Sequence, residues 1–206
     1  MQQPLIVGIS GGSGSGKTRF AANLKASFDE GQVEIFTLDN YYLPIEQQPV
    51  DELGEANFDM PQSFDRKKLQ QDLLQLKAGK DLLIPQYDFN INRGGQPKMI
   101  TVKACPIIIV EGLFTFYFEE LSPAIDLKLF VEAPIWLMMK RRIERDEFER
   151  GYGDLKATLD RYERHVIPAF NEFVLPTRED ADIIIPNHSN FEKGLSVVTN
   201  HLKSLL

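Results

Sequence analysis

The chain has 206 residues, 43% of them apolar and 26% charged, with a net charge of −7 and a single cysteine, Cys105. That length and balance predict one soluble globular domain with a full apolar core. The acidic charge argues against an extended nucleic-acid surface, one cysteine excludes an internal disulfide or a cysteine-built zinc site, and no apolar run reaches the length of a membrane span. The opening Met1-Gln2-Gln3-Pro4 lacks the basic flank of a secretory leader, so a cytoplasmic, reducing setting is expected.

In chain order, Leu5 to Ile9 reads as a buried strand, and residues 11–18, GGSGSGKT, follow it directly. Phe20, Leu24 and Phe28 then recur at helical spacing. The octet fits G-x-x-x-x-G-K-[ST], with Gly11, Gly16, Lys17 and Thr18 at the fixed positions. Along Gly11, Gly12, Ser13, Gly14, Ser15 and Gly16, successive N–H groups can turn inward around a phosphate, and the following helix adds its positive end. Lys17 would reach the outer phosphates and the Thr18 hydroxyl would ligate Mg²⁺. A flexible Gly/Ser turn would give the same composition, but a strand before and a helix after favour the phosphate loop. The segment predicts binding of a nucleoside triphosphate.

Val33–Leu38, Ile107–Val110, Leu127–Val131 and Ala181–Ile185 are further strand candidates, short, apolar and rich in branched residues, and Ile107–Val110 runs continuously apolar as a strand covered on both faces does. Ser63 is placed to cap a helix through Leu69, Leu73, Leu74 and Leu76 that stops at Gly79. Residues 81–104 hold two strand-like runs around Asn92-Arg93-Gly94-Gly95, which predicts an antiparallel hairpin on the edge of the main sheet. Pro134 can start a helix running to about Arg150, another is expected from Asp154 to Ile167 with Pro168 breaking or kinking it, and a last one covers Phe191 to Leu206. The alternation predicts an α/β fold, a doubly wound and mostly parallel five-stranded sheet of the P-loop kinase type. Residues 1–206 would form a single domain, with the hairpin insertion and a helical lid over about 140–165. Trp136 and most phenylalanines are read as core.

Phosphoryl transfer needs a metal, a carboxylate that activates the acceptor, and cations for the transferring group. Asp39, where the second strand ends, would face the cleft beyond the strand termini. It could accept the acceptor's proton or help hold the metal, and it could equally be a turn-forming Asp beside Asn40. Glu111, at the end of the Ile107–Val110 strand, suits a metal ligand or a water-positioning group, and also a helix start. Arg142, Arg145 and Arg150 could close over phosphates from a lid, although the interleaved Glu144, Asp146, Glu147 and Glu149 fit a solvated, salt-bridged helix as well. Phe58, Tyr87 and Phe89 could stack on a flat acceptor, with core packing the simpler reading for Phe89. His165, His188 and His201 suggest structural or solvent roles.

Taken together, GISGGSGSGKT, LDNYY, NFDMPQSFD, IPQYDF, IIIVEG, RRIERDEFERG and IPAFNEFVLPTREDADIIIP resemble, in order, the segments of uridine kinases, over residues 5–186. That family groups with phosphoribulokinases and pantothenate kinases. The resemblance implies transfer of phosphate from ATP or GTP, with Mg²⁺, to the 5′-hydroxyl of uridine or cytidine. By the same resemblance Asp39 would be the catalytic base, and Lys17, Arg142 and Arg145 would act on the transferred group. Thr18 and Glu111 would lie near Mg²⁺. Asp59 would bind the ribose hydroxyls, Tyr42, Phe58 and Tyr87 would shape the nucleoside pocket, and Arg142 and Arg150 would reach substrate from the lid. Three positions depart from the family's pattern: Asn92 stands where a histidine touches the pyrimidine, Tyr152, followed by an extra Gly153, where an arginine follows ERG, and Arg161 where a glutamine precedes the tyrosine. Those departures leave open another acceptor, such as a phosphosugar or a pantothenate-like alcohol, or a nucleotide-binding regulator without catalysis. The expected partner is a small molecule, not nucleic acid or membrane, and a homo-oligomer is possible.

Overall fold

A computed structural model describes residues 3–88, 98–148 and 155–206. Five parallel strands form the central sheet: β1 (Leu5–Ser10), β2 (Val33–Thr37), β5 (Ile107–Glu111), β6 (Leu127–Glu132) and β7 (Ile183–Pro186), in the order β2-β5-β1-β6-β7. The continuous apolar runs follow from burial on both faces. Side chains alternate across a strand, so Ile6, Phe36, Ile108, Val110 and Phe130 enter one core and Val7, Ile9, Ile107, Ile109 and Leu129 the other. The first core is covered by α2 (Arg66–Lys77), the second by α1 (Lys17–Ala26) and α6 (Glu192–Lys203). The α/β, doubly wound expectation holds.

Four local expectations need correction. The cap of α2 is Asp65, whose Oδ1 accepts from Lys68 N at 3.0 Å, and not Ser63. Phe64 is extended and bridges to Tyr42, which delays the helix, and the Ser63 hydroxyl donates to Asn57 O at 2.8 Å instead. Strands β3 (Leu82–Pro85) and β4 (Met99–Val102) do pair antiparallel, but they make a two-stranded sheet of their own beside β2 without joining its ladder. The connecting turn lies outside the described residues.

Of the two outcomes expected at Pro168, the break does not occur. The chain runs through α4 (Leu155–Arg161), a π-helical stretch (Tyr162–Val166), α5 (Ile167–Ala169) and a second π stretch (Phe170–Val174). Pro168 lacks the N–H that would donate to the preceding turn, and these wider turns on both sides absorb the defect. Trp136 is 64% exposed near the start of α3 (Ile135–Phe148), while Met138 is buried. Residues two positions apart on a helix differ by about 200° around its axis, so burying Met138 turns Trp136 outward.

Candidate active site

The glycine loop connects β1 to α1 at the C-terminal edge of the sheet. Gly14 (φ +82°) and Gly16 (φ +97°) adopt left-handed backbone, and a Cβ on either would collide with Met138 O or Asn187 Nδ2. Glycine is therefore required there on two counts. If the loop's N–H groups are to face a ligand, its carbonyls must face the protein and find donors. Asn187 Nδ2 donates to Ser15 O at 2.7 Å, and Arg141 Nη1 reaches Ser15 O at 3.3 Å and Gly14 O at 3.4 Å. Asn187 was not legible as part of the site, because a side chain that serves a backbone carbonyl leaves no pattern in sequence.

Three strands converge beneath the loop. The parallel register sets Thr37 and Ile9 beside Glu111. Glu111, only 2% exposed, accepts from Thr37 Oγ1 at 2.8 Å and from Thr18 Oγ1 at 3.3 Å. Burial raises its pKa and Asp39 adds to the effect, against the pull of Lys17 and the two hydroxyls. Lys17 is its counterpart: desolvation lowers its pKa while Glu111 and Asp39 oppose, so the cation and the two carboxylates form one electrostatic cluster. Asp39 stands in the 3₁₀ turn Leu38–Tyr41, where Thr37 Oγ1 accepts from its N–H at 3.2 Å.

The residues fit a phosphate–metal pair. Ser15 Oγ is buried in the loop without a hydrogen-bond partner. Thr18 and Glu111 adjoin each other as hard oxygen donors. Among the described residues no three His, Cys, Asp or Glu gather as a cation site. Mg²⁺ needs no such cage, since it commonly takes one or two protein oxygens plus phosphates and waters.

Beyond this cluster opens a cleft of about 340 Å³. Tyr42 sits among rings there, with centroids 5.2 Å from Tyr87 and 5.9 Å from Phe58, and Asn40 Oδ1 holds Tyr87 N at 3.0 Å. Arg142 reaches from α3 to the glycine loop and the cleft wall: Nη1 donates to Ser13 Oγ at 2.8 Å and to Asp59 Oδ1 at 3.3 Å, and Nε to Asp146 Oδ2 at 2.9 Å. Burial opposes its charge, but Asp59 and Asp146 more than restore it, and its pKa is raised. Arg145 adds two 3.2 Å bonds to Asp146. The salt-bridged reading of the α3 residues applies, with pairs of two kinds. Asp146 turns inward to order Arg142 and Arg145, while Lys140 and Glu144 make the solvated pair at 3.8 Å.

The structure therefore brings together Gly11–Thr18, Asp39, Tyr42, Phe58, Asp59, Tyr87, Glu111, Arg142 and Arg145. Arg161 also lines the cleft, as does His165. Asn92 and Arg150, both expected at the substrate, lie outside the described residues, as do Phe89, Arg93 and Tyr152.

A phosphate cradle at the strand ends, facing an aromatic-walled cleft across a lysine and two carboxylates, defines a P-loop small-molecule kinase, which draws its phosphoryl group from a nucleotide. Its relatives narrow the class. The model of the Phosphoribulokinase / Uridine kinase family matches residues 6–192, and the chain belongs to that family. It is 36% identical over 201 residues to the uridine kinase of Borrelia duttonii (strain Ly), covering 98% of this chain and 95% of that one. It is 32% identical over 205 residues to uridine-cytidine kinase B of Dictyostelium discoideum, covering 100% of this chain and 84% of the relative. A solved structure described as a possible uridine kinase from Bacillus stearothermophilus shares the fold, with a TM-score of 0.65, 21% identity and 89% of each chain aligned. Among the described residues no helix is long and apolar enough to cross a membrane.

Proposed function

We propose that the chain transfers the γ-phosphoryl group of ATP, with Mg²⁺, to the 5′-hydroxyl of uridine or cytidine. The observation that carries this reading is the Lys17–Asp39–Glu111 cluster opening directly into the ring-lined cleft. The family and its uridine kinase relatives support it. The acceptor oxygen forms a bond to the γ-phosphorus as the bond to the bridging oxygen breaks, and the acceptor's proton passes to the Asp39 carboxylate. Lys17, Arg142 and Arg145 hold the charge on the transferred group, Asp59 takes the ribose hydroxyls, and Tyr42, Phe58 and Tyr87 clasp the flat base. Thr18 and Glu111 would hold Mg²⁺, which neutralises phosphate charge when bound.

The cleft's charge favours this acceptor over a phosphosugar. Among the described residues Lys17, Arg142, Arg145 and Arg161 line it, and so do Asp39, Glu55, Asp59 and Asp146, four cations against four carboxylates. A neutral, flat alcohol suits such a lining better than an anion. ADP formation should be measured with Mg²⁺-ATP against uridine, cytidine, purine nucleosides, pantothenate and ribulose 5-phosphate. Saturable turnover on uridine or cytidine is the expected result, and preference for a phosphosugar or no turnover at all would overturn the assignment.

A pH effect follows from Glu111. A carboxyl whose folded-state pKa is raised becomes charged only above its ordinary 4.5, so the acid limb of kcat/KM should lie above that value. Thr37→Val removes a hydroxyl that favours the carboxylate and should move the limb to still higher pH. A limb unchanged in Thr37→Val would mean that Glu111 does not govern it.

A further inference from the structure

The segment between Pro49 and Asn57 is a closed loop on one rim of the cleft. Val50 bridges Ala56, Asp51 N donates to Glu55 O at 2.9 Å, and Asn57 N donates to Pro49 O at 2.7 Å. Asp51 organises it from within, since Oδ1 accepts from Leu53 N and Glu55 N, each at 2.9 Å. The other oxygen points elsewhere. Oδ2 takes an ion pair from Arg164 and a 2.8 Å hydrogen bond from His165 Nε2, both on the π-helical stretch Tyr162–Val166. Arg164 Nη2 also reaches Glu55 Oε2 at 2.7 Å. These partners are more than a hundred residues away in sequence.

Both sides of this junction are walls of the same cleft. Glu55, Ala56, Phe58 and Asp59 line it from the loop side, and Arg161, Tyr162 and His165 from the helix side. His165 is 4% exposed, so the junction sits partly out of water, where a charge-assisted bond is strongest. Chiefly through the His165 hydrogen bond, the Asp51 carboxyl is held down at about 2 and stays charged throughout the range in which an enzyme works.

We propose that Asp51 and Arg164 are positioning residues: their ion pair fastens the loop to the π-helical stretch and so sets the acceptor wall that presents Phe58 and Asp59, without touching the acceptor. The proposal rests on the reading of this cleft as the acceptor site. Two measurements on the full chain separate them. Hydrogen–deuterium exchange, with no ligand added, reports the fastening alone, and initial rates with uridine and ATP report its effect on the acceptor. Asp51→Asn and Arg164→Gln should speed exchange over residues 49–57. They should raise the KM for uridine about tenfold, equivalent to about 1.4 kcal/mol, with kcat and the KM for ATP nearly constant.

Arg164→Lys keeps a cation and should recover part of the affinity, whereas a merely structural role would make the Lys and Gln variants equally poor. Exchange unchanged in Asp51→Asn overturns the fastening. Faster exchange with an unchanged KM for uridine overturns the role in the acceptor wall, and equal losses in Lys and Gln reassign the effect to packing and overturn the ion pair. If the parent protein turns over no uridine, the proposed function falls instead, and the exchange arm still passes or fails the fastening on its own.

Discussion

Asp39→Asn should lower kcat by roughly 10²–10⁴-fold, the range expected for a lost general base, while ATP still binds. The substitution keeps shape and replaces only a proton-accepting oxygen with an amide. The turn that carries it should survive, because its anchor is the backbone N–H of residue 39 on Thr37 Oγ1 and not the carboxylate. Lys17 and Glu111 both feel this carboxylate, so the variant also lightens the negative charge around that ammonium and around Glu111. A KM for ATP that stays put while kcat collapses identifies an interaction made only in the transition state. The alternative for Asp39, metal ligation, gives another signature: the Mg²⁺ concentration for half-maximal rate would climb. Near-normal turnover would remove Asp39 from the reaction.

How much of this was legible beforehand varies with the kind of physics involved. The central strands were readable because burial on both faces demands uninterrupted apolar runs, and β1 and β5 supply them. The glycine loop was readable because left-handed backbone and close packing at Gly14 and Gly16 admit no other residue. Asp39 and Glu111 were readable through topology, since strands of a parallel sheet deliver their C-terminal residues to one edge. The register that joins Thr37 to Glu111 was not, because any slip of two residues would preserve the same apolar pattern. Contacts between distant side chains were also hidden. Nothing local to Asp51 marks Arg164 as its partner, and nothing local to Asn187 announces Ser15 O. Where local signals competed, the backbone decided: Ser63 is as good a cap as Asp65, but the extended Phe64 forbids a helix from starting earlier.

Lys17→Ala should produce a loss in kcat of at least the roughly 10²–10³-fold that follows removal of one preorganised donor from a developing charge. Two features argue for the upper part of that range. Lys17 is held where desolvation already works against its ammonium, so the charge is pre-placed and needs little rearrangement to meet a phosphate. Glu111 and Asp39 both draw on that cation, and its removal leaves two carboxylates facing each other across the site. Their mutual repulsion should push the Glu111 carboxyl further up, weakening the Thr18–Glu111 pair as a Mg²⁺ holder. The variant should therefore need more Mg²⁺ and show an acid limb displaced to higher pH, besides its low rate. Lys17→Arg separates charge from shape. It restores the cation but spreads it over a planar fork longer than the loop accommodates, so it should recover the position of the acid limb and little of the rate. If Lys17→Ala turned over near the parent rate with its acid limb in place, neither the phosphate contact nor the coupling to Glu111 would stand.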